Sequence, residues 1–310
     1  MKNKILVYGD IHLHSKNYGA HIDYAKESLY YFRNITDTAE ELGITHIIGC
    51  GDLTYARFHS LEYRLEVEKE LEKQMKITNG NRFEVKGNHD EATYGLTEYE
   101  YYIKKGLLRK STNLEFDKLN ISMVDFNKHD THDVIISKDK LNIVICHEFI
   151  RFTNTKLPNY GTYLNLDEFT KWAGVDYIIA GHVHGQHIFS GNILGKETIV
   201  IYPGCPTRTI YRAGHMSDIG QFILIESDDK ETKAEVYEYD LLPLEECFNI
   251  EVLENEKTFG IRENIDIEDV ISKLNNYNKT VGNIEDIIMA MTEIDLRYRN
   301  KAVELIRAGL

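Results

Sequence analysis

The amino-acid sequence predicts an α/β protein in which two packed mixed β-sheets are flanked by helices and followed by a small C-terminal α+β cap. Three observations support this. The chain opens with strand and helix signals in alternation, its middle is strand-rich, and its character changes after Asp240. Ile5-Leu6-Val7-Tyr8, Thr45-His46-Ile47-Ile48 and Arg82-Phe83-Glu84-Val85 are short, β-branched apolar runs of the kind that form strands. Residues 21–42 and 60–76 between them carry helical spacing, the first stopped by Gly43. A βαβαβ opening of this kind places parallel strands in one sheet. Strands follow at 121–126, 141–146, 176–180, 199–202, 222–226 and 234–239, with only short helical signals near 96–105 and 166–173. So many strands with so few helices require a second sheet packed on the first. Trp172 reads as core.

Residues 1–240 therefore read as one domain and 241–310 as the cap. In the cap a strand at 248–253 precedes two amphipathic helices. Ile267, Val270, Ile271 and Leu274 mark the first; Ile284, Ile287, Ile288, Met291, Ile294 and Tyr298 mark the second.

Of 310 residues, 42% are hydrophobic and 28% charged, which excludes disordered and fibrous classes. No apolar run approaches the ~18 residues of a membrane span, and the opening apolar stretch is too short for a signal peptide. The chain reads as cytoplasmic. Its four cysteines form no C-x-x-C pair, so neither a disulfide framework nor a zinc knuckle is indicated. Thirty-six bases against 50 acids give a net charge of −14. Residues 228–310 hold 20 acids and 10 bases, so most of the excess lies in the last quarter and a nucleic-acid substrate is not excluded for the rest.

Five short polar motifs each fall just after a predicted strand: Gly9-Asp10-Ile11-His12, Gly51-Asp52, Gly87-Asn88-His89-Asp90, Cys146-His147 and Gly181-His182-Val183-His184. Ligand sites in α/β sheets gather beyond the carboxyl ends of strands, so these groups converge on one crevice. If the strands continue, period two points Asp10 and His12 the same way, and likewise His182 and His184. Two Asp, one Asn and four His suit imidazole-plus-oxygen coordination of Mn²⁺, Fe or Zn²⁺, with Mn²⁺ preferred, and exclude a thiolate structural-zinc site. Two divalent ions against the carboxylates of Asp10 and Asp52 leave about two positive charges, which attract a phosphate.

D-x-H, GD, GNHD, H and GHxH in this order resemble the calcineurin-like metallophosphoesterase superfamily, over roughly residues 4–205. The resemblance implies an α/β/β/α sandwich and a metal-dependent hydrolase of phosphoester bonds. It further implies that Asp10, His12 and His184 bind one metal, that Asn88, His147 and His182 bind the other, and that Asp52 bridges them. His89 would face the substrate phosphate as general acid or transition-state stabiliser, with a bridging hydroxide as nucleophile. Within the superfamily, Tyr202-Pro203-Gly204-Cys205-Pro206-Thr207-Arg208 resembles the YPGS-x-x-R segment of SbcD-type DNA-repair nucleases, phage versions included. Asp10-Ile11-His12-Leu13 matches their D-x-H-L. This chain departs from them at His14 (usually Gly), at Gly51-Asp52-Leu53-Thr54-Tyr55 (usually GDLFD) and at Cys205 (usually Ser). The nuclease resemblance implies a coiled-coil ATPase partner docked on the C-terminal helices; a homodimer through the same apolar stripe is the alternative. A stand-alone phosphatase or phosphodiesterase acting on nucleotides or other small phosphoesters is the second functional reading.

His14 and Arg208 are candidate substrate contacts. The bland readings are a loop cap for His14, which is preferred, and a surface ion pair for Arg208. Asp90 is expected to buttress the GNHD turn, Tyr99, Tyr101 and Tyr102 to pack a helix rather than stack on bases, and the charge run Glu66–Lys73 to form a solvated helix face.

Overall fold

In the computed structural model, residues 2–16, 20–55, 60–91, 95–110, 113–157, 163–208 and 219–252 are described. The elements run in the order β1 (Asn3–Tyr8), α1 (Tyr24–Glu41), β2 (His46–Gly49), α2 (Leu61–Ile77), β3 (Arg82–Glu84), α3 (Glu98–Lys105), β4 (Arg109–Lys110), β5 (Asn113–Glu115), β6 (Leu119–Val124), β7 (Leu141–His147), β8 (Ile150–Arg151), β9 (Leu164–Asn165), β10 (Tyr177–Gly181), β11 (His187–Ile193), β12 (Lys196–Tyr202), β13 (Ile219–Ser227), β14 (Thr232–Asp240) and α4 (Leu244–Cys247). One six-stranded sheet has the order β14-β13-β1-β2-β3-β4 and the other β11-β12-β10-β7-β6-β5. Both are mixed. β1 to β4 are parallel with β13 antiparallel beside β1, and β6, β7, β10 and β12 are parallel with β5 and β11 antiparallel at the edges.

Period two along each strand divides the core. Ile5 and Val7 of β1 face Ile121, Ile143, Ile145, Ile179 and Ile201 of the second sheet. Leu6 and Tyr8 face the opposite way, onto Phe32 and Ile35 of α1 and Val67 and Leu71 of α2. On the far face of the second sheet, Val144, Ile178 and Val200 pack on the fully buried Trp172. Each buried Ile, Leu or Val contributes roughly 1.5–3 kcal/mol relative to exposure, so these layers hold the two sheets in fixed register.

Helix boundaries follow local chemistry. The Asp23 carboxylate accepts the Lys26 N–H to start α1, and Thr97 with Glu100 forms a reciprocal capping box on α3. Tyr99 and Tyr102 are buried, as expected for helix packing. The charge run of α2 is only partly solvated. Glu68 and Glu70 are buried, the first bonded to Lys105 Nζ (2.5 Å) and the second lying 3.6 Å from Arg33 Nε.

Two strand expectations differ from the structure. No strand forms over the described residues 248–252: Phe248 makes a single bridge to His21, and residues 250–252 are helical. The chain divides into Met1–Leu253 and Glu254–Leu310, later than the boundary expected after Asp240. The reason is packing, since Cys247 and Phe248 bury against Ala20, while Ile22 N donates to Cys247 O and Asn249 N to Ala20 O, each at 2.9 Å. Strand β11 was not expected at all; its edge position buries alternate residues only partly, which weakens the apolar signal. The amphipathic helices expected at 267–298 lie outside the described residues. No described helix is long and apolar enough to cross a membrane.

Candidate metal centre

Each polar motif leaves the carboxyl end of a parallel strand: β1, β2 and β3 in one sheet, β7 and β10 in the other. Because the two sheets face each other, the motifs meet at one end of the sandwich. The strand geometry stops before the ligands, however. His12, Asp52 and His182 adopt left-handed backbone (φ 52°, 53° and 82°), so shared direction by strand period is not how Asp10 and His12, or His182 and His184, come together. Such conformations cost of order 1–3 kcal/mol each and persist only where the surroundings over-determine them. Here His12 N donates to Asp52 O (2.9 Å) and Leu13 N to Leu53 O (2.8 Å), zipping the first two turns together.

The expected ligands converge. His12 Nε2 lies 3.0 Å from His184 Nε2, 4.0 Å from Asp10 Oδ2 and 3.7 Å from Asp52 Oδ2. His184 Nε2 lies 3.7 Å from Asp10 Oδ2. On the other side, His147 Nε2 lies 2.9 Å from Asn88 Oδ1 and 3.2 Å from Asp52 Oδ2, and His182 joins Asp52 and His147 in a cluster with all donor atoms within 4.8 Å. Asp52 thus stands between the two groups.

Chemistry favours a cation in each group. Asp52 Oδ2 is buried without a hydrogen-bond partner. His147 Nδ1 lies 2.9 Å from the Cys50 carbonyl, which can only accept, so the Nδ1 proton is fixed there and Nε2 is directed at Asn88 and Asp52. Two nitrogens about 2.1 Å from one ion and at right angles to it stand ~3.0 Å apart, the separation found between His12 and His184. The glycines serve the same convergence. A Cβ on Gly87 would lie 2.1 Å from Asp52 Oδ1, and one on Gly181 2.5 Å from Asp10 Oδ1.

The electrostatics agree. Burial pushes Asp10 up to about 7. Burial also acts on Asp52, but His147 and His12 outweigh it and hold that carboxyl well below the usual carboxylate range. Burial works against charge on His147, yet Asp52 and Asp10 push it up to about 10. His12 and His182 go down, the latter to about 3, mainly through burial.

His89 sits at the edge of this cluster. Its backbone N–H donates to Asp52 Oδ1 (2.8 Å), its ring stacks on Tyr55 (centroids 4.4 Å apart), and burial lowers its pKa. Asp90 buttresses the turn as expected: one oxygen accepts from Asp52 N and Gly87 N, the other from Thr54 N and Thr54 Oγ1.

The two candidate substrate contacts, His14 and Arg208, are both buried. His14 is buried, and its Nδ1 accepts the Lys16 N–H at 3.1 Å, so it shapes its own loop. Arg208 is also buried. Its Nη1 donates to Leu242 O (2.9 Å), and the buried Glu27 carboxyl draws it toward α1 and the 242–248 segment.

Sequence reasoning missed Tyr55, whose ring also edges His12 and His14, and Phe149, whose ring centroid lies 3.7 Å from that of His182. It also missed a buried ion pair under the site, Arg82 Nη2 to Glu84 Oε2 at 2.7 Å, with the Tyr8 hydroxyl bonded to both. Polar residues inside a predicted strand were the only signal for that pair.

A model of the calcineurin-like phosphoesterase family matches residues 3–186. The chain belongs to this family. As a calcineurin-like phosphoesterase it is a metal-dependent hydrolase of phosphoester bonds, and the family generally holds two divalent metals, for which the His and Asp clusters above provide the donors. No curated protein matches the chain. Among solved structures, a double mutant of Vps29 from Entamoeba histolytica is similar at 16% identity and a TM-score of 0.37, covering 76% of this chain and 99% of that one.

Proposed function

We propose that this calcineurin-like phosphoesterase cleaves phosphodiester bonds in DNA as an SbcD-like nuclease, with Mn²⁺ as the principal ion. The observation that carries the reading is the placement of Tyr202–Arg208, the segment that resembles the nuclease motif. Cys205 N donates to His184 O (3.0 Å) and Thr207 Oγ1 to Ile11 O (2.8 Å), so this turn is part of the wall of the metal centre. In this reading Asp10, His12 and His184 hold one ion, Asn88, His147 and His182 the other, and Asp52 both.

When bound, two divalent ions polarise the phosphate and stabilise attacking and leaving oxygens. The chain's own residues do the rest. Asp52, fixed by the His89 and Asp90 contacts, keeps the two groups of donors in register. His89, braced by Tyr55 and held neutral by burial, presents a ring N–H to the leaving oxygen. Tyr24 donates to His12 O (2.9 Å) and to Thr207 Oγ1 (3.2 Å), tying the nuclease-like turn to the first ligand turn.

The partner proposal, a coiled-coil ATPase or a second copy of the chain, rests on the acidic, amphipathic sequence after residue 252. The second reading, a stand-alone phosphodiesterase for small phosphoesters, is favoured by the net charge of −14. Purified full-length protein with Mn²⁺, offered linear duplex, single-stranded DNA and p-nitrophenyl phosphoesters side by side, separates them. The nuclease reading expects DNA cleavage to dominate; turnover of p-nitrophenyl substrates with intact DNA would overturn it.

A further inference from the structure

The cysteine that replaces the usual serine of the nuclease-like turn stands beside the metal donors. Cys205 Sγ, His12 and His184 place their donor atoms all within 4.8 Å of one another. Donors to one ion stand at most ~4.4 Å apart, given metal–sulfur and metal–nitrogen bonds of about 2.3 and 2.1 Å. A small side-chain rotation therefore brings the sulfur into the coordination sphere.

The backbone around Cys205 is locked in place for this. Its N–H donates to the carbonyl of the ligand His184. Gly204 is left-handed (φ +83°), and a Cβ on Gly9, which adjoins the ligand Asp10, would lie 2.1 Å from Gly204 O. Thr207 bonds to Ile11 O, and Tyr24 bonds to both Thr207 and His12 O. The turn carrying the thiol is thus pinned to both turns that carry the first group of ligands. Among the described residues, the cluster of Asp52, His147 and His182 on the other side includes no sulfur.

We propose that Cys205 supplies a thiolate to the metal position of His12 and His184. The two positions would then differ in character. A thiolate favours Zn²⁺ or Fe²⁺, whereas the Asn88, His147 and His182 position keeps nitrogen and oxygen donors suited to Mn²⁺. On binding, the S–H bond breaks, the proton leaves to solvent and a metal–sulfur bond forms, with no change of oxidation state. The proposal rests on the two-metal reading of the site and refines it.

The test uses full-length protein loaded with Co²⁺, followed by near-ultraviolet absorption and elemental analysis. Two cobalt ions with a strong sulfur-to-metal charge-transfer band are expected. Cys205→Ser should keep both ions, lose the band, and bind Zn²⁺ at that position ~10–100-fold more weakly, the scale for disturbed ligation. Two ions without the band, or a band that survives Cys205→Ser, would overturn the thiolate and leave the two-metal reading intact. Failure to bind cobalt at all would instead sink the two-metal reading. A second measurement needs no variant. Cys50, Cys146 and Cys247 are buried and Cys205 is partly exposed, so one thiol should react with a disulfide reagent in native apoprotein, and Zn²⁺ should suppress that reaction. An unchanged rate with Zn²⁺ would also count against the thiolate.

Discussion

The two halves of the metal centre are built differently. On one side, His147 ends a central strand, is wholly buried, and has its tautomer fixed by the Cys50 carbonyl. Its neighbour Asp52 is braced by backbone N–H groups and, through Asp90, by four further hydrogen bonds. On the other side, His184 leaves its side chain 32% exposed and depends on turns, above all the one at 202–208. The lesson is a division of labour between residues: buried His147 and Asp52 fix position, and partly exposed His184 opens the other side to solvent.

The sharpest way to break that comparison is Asp52→Ala. Asp52 belongs to both halves, so elemental analysis after reconstitution should find both ions lost and activity abolished. Retention of one ion would show the halves to be independent. His89→Ala should lose roughly 10²–10⁴ in kcat while keeping both ions, because His89, although a ring nitrogen lies within 4.8 Å of donor atoms of His12 and Asp52, is spare once those groups and the other five donors hold the ions. Loss of the ions would make it a ligand instead.

Asp90→Ala sharpens the contrast. It should weaken metal affinity ~10–100-fold, chiefly in the His147 half, and isothermal titration should resolve one changed and one nearly unchanged site. Beneath that half, Arg82→Ala leaves Glu84 buried without its ion pair and should cost ~3–5 kcal/mol in chemical denaturation.

A pH-dependent effect concerns the turn-borne half and its link to 242–248. Burial pushes Glu27 up to about 8 from 4.5, with Arg208 pulling less strongly the other way; His21 Nε2 lies 3.4 Å from Glu27 Oε2. A carboxyl raised on folding imposes no penalty below its ordinary range, and folded stability falls as pH climbs from about 4.5 to about 8. Glu27→Gln cannot ionise. Its melting temperature should gain on the parent progressively across that window and level off above it; a constant difference would show that Glu27 does not titrate there.

Much of this was legible in the sequence, and the limits are physical. Strand ends and residue types are local, so Asp10, His12, Asp52, Asn88, His147, His182 and His184 could be picked out as candidates, and the structure brings them together. What failed depended on distant partners. The left-handed turns at His12 and His182 arise from contacts with Asp52 and Asp10. Arg208 reads as a phosphate grip until the buried Glu27, 181 positions earlier in the chain, is seen beside the segment it bonds. The packing of 242–248 was hidden for the same reason, because the residues that bury it lie near position 20.

The pairing of β1 with β13 has a consequence for how the protein is made. Strand β1 leaves the ribosome long before the strand it borders, and the candidate ligands themselves span Asp10 to His184. At ~5–20 residues per second, β1 waits roughly 10–40 s for its antiparallel neighbour. During that interval a nascent chain carries a sheet edge without its partner and an incomplete set of donors. Metal acquisition is therefore a late event, and chains that terminate before residue 219 should be handed to chaperones and proteases rather than to the metal pool.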